Sequence, residues 1–219
     1  MLYLAPGPAI RGRVGLGVAH VTLHTALRQV FDQITGPAIV SAARLADRVA
    51  RTLLRVHGLD DLPRIGVAAL NPHGGEQGLF GDEEQRIIQP AVEQALAEGL
   101  QLVGPLPCDT LMMRAASGEF DAVVAMYHDQ GHIALKLLGM HRAVNITLGL
   151  PIIRTSVAHG TAFDLAWQGR AERAGLIEAV RMAAALARDS DSYRQDTSSA
   201  APRTMARVMN RSCGRRPRS

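Results

Sequence analysis

Short apolar runs alternate along the chain with longer stretches of helical periodicity. Buried strands are predicted at 13–19, 65–70, 122–126 and 143–148, with a further strand around Val103. Apolar positions at intervals of three and four predict helices at 38–57, 83–98, 107–115, 130–138, 161–168 and 172–188. Pro37 stands where the first of these helices would begin, and Gly58 where it would end. Strands that alternate with helices predict an α/β fold with a largely parallel sheet.

Three histidines each follow a strand-like run, which is where ligands bind in such folds. They are His24, His73 within LNPHGGEQG, and His128 within MYHDQGH. Three neutral imidazoles suit Zn²⁺ or a similar divalent ion and leave a coordination position open for a substrate. No local spacing such as HExxH pairs them, so a surface or hydrogen-bonding role is the alternative for each. His20 precedes His24 by four residues, and in an extended strand the two would stand roughly 13 Å apart, too far to share one ion.

A second polar cluster consists of Lys136, Asn145 and Arg154, which lie between apolar runs. An ammonium, an amide and a guanidinium together can clamp a phosphate or a carboxylate. Lys136 is the only lysine in a chain with 24 lysines and arginines, so it is a candidate for a position that needs a compact ammonium. The alternatives are a surface role for Lys136 and a surface ion pair for Arg154. Asp129, which follows His128, is predicted to cap the next helix.

Composition and charge limit the kinds of protein that this chain can be. Hydrophobic residues make up 47% of the 219 positions, which is enough for one sizeable core, or for one domain plus part of another. Residues 190–219 carry seven arginines and two aspartates, so the net charge of +4 becomes −1 for residues 1–189. A basic surface for nucleic acid is therefore not predicted. The Arg-rich tail 190–219 is predicted to be disordered, with binding of polyanions as its alternative role.

Several other classes of protein are not supported by the sequence. The two cysteines, Cys108 and Cys213, are far apart, which argues against a disulfide framework and for a reducing cytoplasmic compartment. No apolar run is long enough to predict a membrane span. The chain has no GxGxxG before a helix, no P-loop and no GxSxG elbow.

Three long stretches resemble the 4-hydroxythreonine-4-phosphate dehydrogenase family: LNPHGGEQGLFGDEE, MYHDQGHIALK and NITLGLPIIRTSVAHGTAFDLA. The flanking HTALRQVFDQIT and GPLPCDT match as well, and the resemblance covers residues 1–188. It corresponds to about the C-terminal three-fifths of a family member and lacks the family's N-terminal GDPAGIGPE segment. The resemblance therefore implies that 1–189 is the C-terminal part of a two-domain α/β dehydrogenase fold, incomplete at the N-terminus.

The family resemblance also implies a fold, a site and a reaction. The expected fold is the α/β/α architecture of isocitrate and isopropylmalate dehydrogenases, in a homodimer with active sites at the interface. The implied metal ligands are His24, His73 and His128, and the implied substrate-binding residues are Lys136, Asn145 and Arg154. The HGTAFDLA stretch resembles the loop that binds the cofactor's adenosine in isopropylmalate dehydrogenases, which implies cofactor contacts at His159, Thr161, Ala162 and Asp164. No residue is assigned to proton transfer.

The implied reaction is a metal-dependent oxidation of 4-phosphohydroxy-L-threonine by NAD or NADP, with decarboxylation, in pyridoxal phosphate biosynthesis. The divalent metal would be Zn, Mg or Co. Three alternatives stay open. In the first, the chain is a paralogue that oxidises 4-phosphoerythronate or 4-phosphothreonate. In the second, it is a truncated non-catalytic remnant that still dimerises. In the third, it is a metal-dependent lyase or hydrolase that uses no NAD.

Overall fold

Seven strands form one mixed sheet in the computed structural model, which describes residues 1–189. The order across the sheet is β4-β3-β5-β2-β1-β6-β7. The strands are β1 Leu2–Leu4, β2 Leu16–His20, β3 Ile65–Ala68, β4 Leu102–Leu106, β5 Ala122–Ala125, β6 Val144–Thr147 and β7 Arg154–Val157. The predicted disorder of residues 190–219 lies outside the described residues.

The sheet is parallel on one side and antiparallel on the other. Strands β4, β3, β5 and β2 run parallel, whereas β1, β6 and β7 join them through antiparallel pairs. The prediction of a largely parallel sheet is therefore right for only four of the seven strands. The pattern missed β1 because three residues show no periodicity, and it missed β7 because only one of its four residues, Val157, is apolar.

Within residues 1–189, six α-helices cover the sheet. They are α1 Leu27–Gln33, α2 Gly36–Val56, α3 Gln89–Ala97, α4 Cys108–Ala116, α5 His128–Gly139 and α6 Ala174–Arg188. A π-helical turn, Glu84–Ile88, leads directly into α3. Helix α2 starts where Pro37 predicted, since Oγ1 of Thr35 accepts a hydrogen bond from the backbone N–H of Ala38 at 3.4 Å.

The predicted helix at 161–168 is wrong. Only Phe163–Leu165 forms a single 3₁₀ turn there. Ala162 and Trp167 have φ angles of 51° and 63°, in the left-handed region that a right-handed helix cannot include. Helix α1 was not predicted, because Val30 is its only buried residue and it shows no apolar stripe.

Helices pack on both faces of the sheet, which gives an α/β/α arrangement. Val124 faces the side where α2 and α3 pack, and its neighbour Val123 faces the side where α4 and α5 pack. Because both faces are covered, all four residues of β5 are buried, as is typical of parallel strands. Helix α6 packs beside α2 and covers β6 through Met182 and Leu186. Among the described helices, none is long and apolar enough to cross a membrane.

Candidate functional site

The three predicted metal ligands follow three neighbouring parallel strands at the same edge of the sheet. Strand β3 precedes His73, β5 precedes His128, and β2 precedes His24. Strand β5 lies between the other two, and the carboxyl ends of parallel strands meet at one edge. The fold therefore brings the three segments to one side of the molecule, as the sequence predicts.

His24 and His128 lie close together, with ring centroids 5.8 Å apart. Nδ1 of His128 is 2.6 Å from Oδ1 of Asp129. A carboxylate accepts hydrogen bonds, so Nδ1 carries the hydrogen, and in the neutral form of the ring Nε2 keeps its lone pair. A histidine whose second nitrogen is held by a carboxylate is the form in which imidazole binds a metal.

The expectation that Asp129 caps the following helix is wrong. Helix α5 has Tyr127 at its N-cap and no side-chain cap, and the Asp129 carboxylate instead accepts from His128. Gln130 organises the start of the helix, because its Oε1 accepts from the backbone N–H of Met126 at 2.7 Å. Its Nε2 donates to the carbonyl of Ala69 at 2.7 Å, so one side chain connects the ends of β5 and β3. The amide of Gln130 thus accepts one hydrogen bond and donates another, and it ties the start of α5 to the segments that follow β5 and β3.

His73 lies apart from the other two histidines. Its ring is 6.4 Å from that of Phe80, and it lines a separate cavity of about 440 Å³ with Cys108 and Tyr127. Among residues 1–189, no group of three or more His, Cys, Asp or Glu side chains is arranged to hold a metal ion. The structure thus brings His24 and His128 together without His73, and the three-histidine site stays a prediction.

The loop that carries His73 has a left-handed backbone. All five residues 73–77 have positive φ, including 53° at His73 and 42° at Glu76. Such angles are unfavourable for residues with a Cβ and persist where the surroundings enforce them. Buried Glu84 holds the start of this segment, since its carboxylate accepts from the backbone N–H groups of Leu70 and Asn71 at 2.7 and 2.8 Å. His73 is therefore carried by a loop that is held at its first residues.

A second cavity, of about 420 Å³, is lined by His24 and His128 together with two of the predicted substrate-binding residues. Lys136 reaches it from α5 and Asn145 from β6. Lys136 is half-buried and lies two turns after His128 on the same face of the helix. Imidazole, ammonium and amide groups from different elements therefore face one space.

Arg154 and most of the predicted cofactor residues lie outside this cavity. Arg154 is exposed, and its Nη1 donates to Oγ1 of Thr147 at 2.8 Å. His159 lines the cavity, whereas Thr161, Ala162 and Asp164 are exposed in the loop that follows it. Binding of a substrate by Arg154 and of a cofactor by this loop stay predictions.

Two further histidines that the sequence analysis did not assign to the site also line the cavity. His132 stacks on His128 with ring centroids 3.7 Å apart and planes 13° apart. Its Nδ1 lies 3.1 Å from Nε2 of His20. Burial, and then the neighbouring imidazoles, lower the pKa of His20 to about 3 and that of His132 to about 4, so both are neutral at pH 7. The signal for His132 was its spacing, since 128, 132 and 136 share a helix face, whereas nothing local marked His20.

Cys108 and Tyr127 line the cavity that contains His73 and are poorly suited to nucleophilic chemistry. Burial, assisted by the charge of Asp109, raises the pKa of the Cys108 thiol to about 11. Burial likewise raises the pKa of the Tyr127 hydroxyl. Because the thiolate is the reactive form of cysteine, Cys108 is unreactive near pH 7.

Comparison with known proteins identifies relatives for most of the described chain. The sequence profile described as Pyridoxal phosphate biosynthetic protein PdxA matches residues 9–183. The D-threonate 4-phosphate dehydrogenase of Salmonella typhimurium is 49% identical over 172 residues, which cover 78% of this chain and 51% of that protein. The 4-hydroxythreonine-4-phosphate dehydrogenase of Desulforapulum autotrophicum is 51% identical over 169 residues, which cover 77% of this chain and 48% of that protein.

A solved structure confirms the fold class. The crystal structure of 4-hydroxythreonine-4-phosphate dehydrogenase from Klebsiella pneumoniae matches with a TM-score of 0.67 and 46% identity, covering 83% of this chain and 53% of that one. These dehydrogenases have the fold of isocitrate and isopropylmalate dehydrogenases, so that expectation is confirmed. The chain spans about half the length of the relatives that it matches.

Proposed function

Because the chain belongs to the family of the pyridoxal phosphate biosynthetic protein PdxA, we propose that it oxidises a 4-phosphorylated hydroxy acid with NAD or NADP. The candidate substrates are 4-hydroxythreonine 4-phosphate and D-threonate 4-phosphate, which the names of the relatives supply. The observation that carries the proposal is the cavity of about 420 Å³ where His24, His128, Lys136 and Asn145 meet. The ammonium of Lys136 and the amide of Asn145 are complementary to a phosphate or carboxylate.

Lys136 and Asn145 have complementary roles in this proposal. The ammonium of Lys136 pairs with a phosphate or carboxylate oxygen of the substrate. The amide of Asn145, on a strand inside the sheet, holds a second oxygen and so fixes the orientation of the carbon that loses hydride. Arg154, the first residue of β7, lies outside the cavity and is proposed as a third donor to the substrate. Binding at several points excludes most wrong orientations of the substrate.

The chain's own residues fit a divalent metal at His24 and His128. The hydrogen bond between Nδ1 of His128 and Asp129 leaves Nε2 available as a ligand, and His24 lies beside it. A bound divalent metal would supply a Lewis acid that lowers the pKa of the substrate hydroxyl and stabilises negative charge during loss of CO₂, and NAD or NADP would supply the hydride acceptor. The exposed loop of Thr161, Ala162 and Asp164, next to His159 at the cavity, is the proposed contact for the cofactor's adenosine.

A homodimer would complete the metal site in this proposal. His73 is exposed and lines a different cavity from His24 and His128. If two copies pair at this edge of the sheet, the His73 loop of one copy can reach His24 and His128 of the other. The interface is then part of the site.

The test is NAD reduction by the full 219-residue chain in the presence of Zn²⁺, Mg²⁺ or Co²⁺. The two substrates should be compared side by side with 4-phosphoerythronate, using NAD and NADP in turn. Replacement Lys136→Met is expected to lower kcat/KM roughly 30-fold or more, because a charged hydrogen bond to the substrate is lost. Arg181→Met removes a cation from an exposed position on α6 and is expected to leave the rate unchanged.

Two outcomes would contradict the proposal. Bound metal without NAD reduction for any substrate would favour a non-catalytic, dimerising role. Turnover of a phosphorylated hydroxy acid without added NAD or NADP would favour a metal-dependent lyase or hydrolase.

A further inference from the structure

Four of the side chains in the cavity are imidazoles in a continuous row. His20 contacts His132, His132 stacks on His128, and His128 lies beside His24. The ring centroids of His20 and His128 are 6.5 Å apart, and the ring of His132, which is stacked on His128 and 4.6 Å from His20, connects them. The proposed function uses His24 and His128 and assigns nothing to the other two.

We propose that His132 and His20 form a brace that fixes the plane of the His128 imidazole, so that metal affinity depends on two histidines that are not ligands. The proposal rests on the proposed role of His128 as a metal ligand. Asp129 selects the tautomer of His128 through Nδ1, whereas stacking by His132 restricts rotation of the ring. The hydrogen bond to Asp129 also helps to orient the ring, and the stack adds a second restraint on its plane.

The hydrogen bonds of His132 show how the brace is held. Its Nδ1 is 3.1 Å from the carbonyl oxygen of His128, one helical turn earlier, and 3.1 Å from Nε2 of His20. The carbonyl can only accept, so Nδ1 of His132 carries the hydrogen and Nε2 of His20 is the second acceptor. His132 is thus held by its own helix and by the last residue of β2.

The stacked geometry makes His132 a poor ligand for the ion that His128 would bind. The lone pairs of two stacked rings lie in nearly parallel planes, separated here by a centroid distance of 3.7 Å. A zinc ion about 2.1 Å from both nitrogens would lie well outside at least one ring plane. His132 therefore supports the ring of His128 and does not share its ion.

Gly131 allows the helix to come close enough for this contact. A Cβ at position 131 would overlap with Nε2 of His20, and it would stand 2.7 Å from Cγ1 of Val18 and 3.2 Å from Cβ of Ala125. The absence of a side chain lets α5 lie directly against β2 and β5. Gly131, the residue before His132, thus allows His132 to contact His20.

The stability of the folded protein does not explain why position 20 is a histidine. Its Nδ1 is buried and has no hydrogen-bond partner among residues 1–189. Such a group lowers stability by about 1 to 3 kcal/mol, so an apolar residue at position 20 would favour the folded state more. The contribution of His20 to folding therefore does not explain why position 20 is a histidine, whereas a role in the site does.

The first measurement uses the metal-free full chain and compares NMR relaxation of the His128 ring C–H groups among variants. His132→Leu removes both the ring and Nδ1, and His20→Leu removes only the partner of Nδ1. Both are expected to lower the order of the His128 ring. The matched control His141→Leu replaces an exposed histidine elsewhere and is expected to change nothing.

The second measurement is the affinity of the same variants for Zn²⁺ alone, by competition with a chelator. Loss of a supporting contact typically lowers metal affinity 10- to 100-fold, and about that loss is expected for His132→Leu and His20→Leu. His20→Gln retains an amide near the position of Nε2 and should recover most of the affinity. Thermal unfolding separates a positioning role from a structural one, because His20→Leu should be as stable as the wild type or more stable.

The outcomes distinguish this proposal from the proposed function. Unchanged order of the His128 ring in His132→Leu overturns the brace, whether or not metal binds. Unchanged Zn²⁺ affinity in that variant also overturns it, provided that His128→Ala loses the metal. If His128→Ala binds Zn²⁺ as well as the wild type, the metal role within the proposed function fails, and ring order alone decides the brace.

Discussion

Asp121 connects three of the parallel strands at the edge opposite the site. Its carboxyl group is fully buried and lies just before β5, whereas Arg13 precedes β2 and Arg64 precedes β3. Arg13 donates from Nε and Nη2, each at 3.0 Å, and the backbone N–H of Arg64 donates at 2.9 Å. Burial raises the pKa of the carboxyl group, but the hydrogen bonds from Arg13 and Arg64 outweigh it and hold the pKa below 3.8. One carboxylate therefore aligns the strands whose other ends carry the histidines.

Replacement Asp121→Asn is expected to lower the free energy of unfolding by roughly 3 kcal/mol at pH 7, since it leaves two arginines without their buried partner. Asp61→Asn, which removes the exposed partner of Arg13, should cost less than about 1 kcal/mol. Because the folded-state pKa of Asp121 is depressed, its contribution is complete above pH 3.8 and is lost as the pH falls through the lower folded-state value. Urea unfolding of the wild type and both variants, at neutral and acidic pH, measures these free energies. If Asp121→Asn were destabilised by the same amount at every pH, the carboxylate of Asp121 would not be the stabilising group.

At the scale of elements, the loop after β3 depends on the helix that follows it. Asn71 and Leu70 donate to Glu84 at the start of the π-helical turn, and a Cβ at Gly75 would stand 2.8 Å from the Glu84 carboxylate. The amide of Asn71 also donates to Glu83 at 2.7 Å and to Glu84 at 2.9 Å. The left-handed loop and the helix start therefore form one unit.

Replacement Glu84→Gln is expected to loosen this unit, because the amide presents hydrogens to Nδ2 of Asn71 and lacks the carboxylate charge. A loss of about 1.5 kcal/mol in local stability would speed amide hydrogen exchange of residues 71–81 roughly tenfold. Glu83→Gln changes only the contact with the Asn71 side chain and serves as the matched control. Equal exchange rates in the two variants would show that Glu84 does not hold the loop.

At the scale of the whole molecule, the question is whether two copies share one metal site. Each His73→Ala or His128→Ala protein should bind Zn²⁺ weakly by itself. In a mixed dimer of the two, one site keeps His24 and His128 from one subunit and His73 from the other, so about one Zn²⁺ per mixed dimer is expected. Native mass spectrometry measures the dimer and its bound metal together.

The control for subunit mixing is His24→Ala with His128→Ala. Both residues come from the same subunit in this arrangement, so neither site of the mixed dimer is intact and no recovery is expected. Recovery in this pair, or none in the first pair, would contradict a shared site.

Much of the site could be predicted from the sequence because it follows from local order along the chain. Apolar runs located β3 and β5, and the polar residues after them located His73 and His128 at one edge of the sheet. Helical spacing placed Lys136 on the same face of α5 as His128. Long matching motifs identified the family, and the comparisons confirm it.

Contacts between distant segments were decided only by the tertiary structure. His20 and His132 are 112 residues apart, and their meeting depends on the register of β2 with β5 and on the close approach that Gly131 permits. The same reason applies to Gln130, whose Nε2 donates to the carbonyl of Ala69, 61 residues earlier in the chain. Strands β1 and β7 are further examples, because each is a strand through its pairing with a neighbour, β2 for β1 and β6 for β7. Periodicity reports which face of an element is buried, whereas pairing and contact depend on which distant element covers that face.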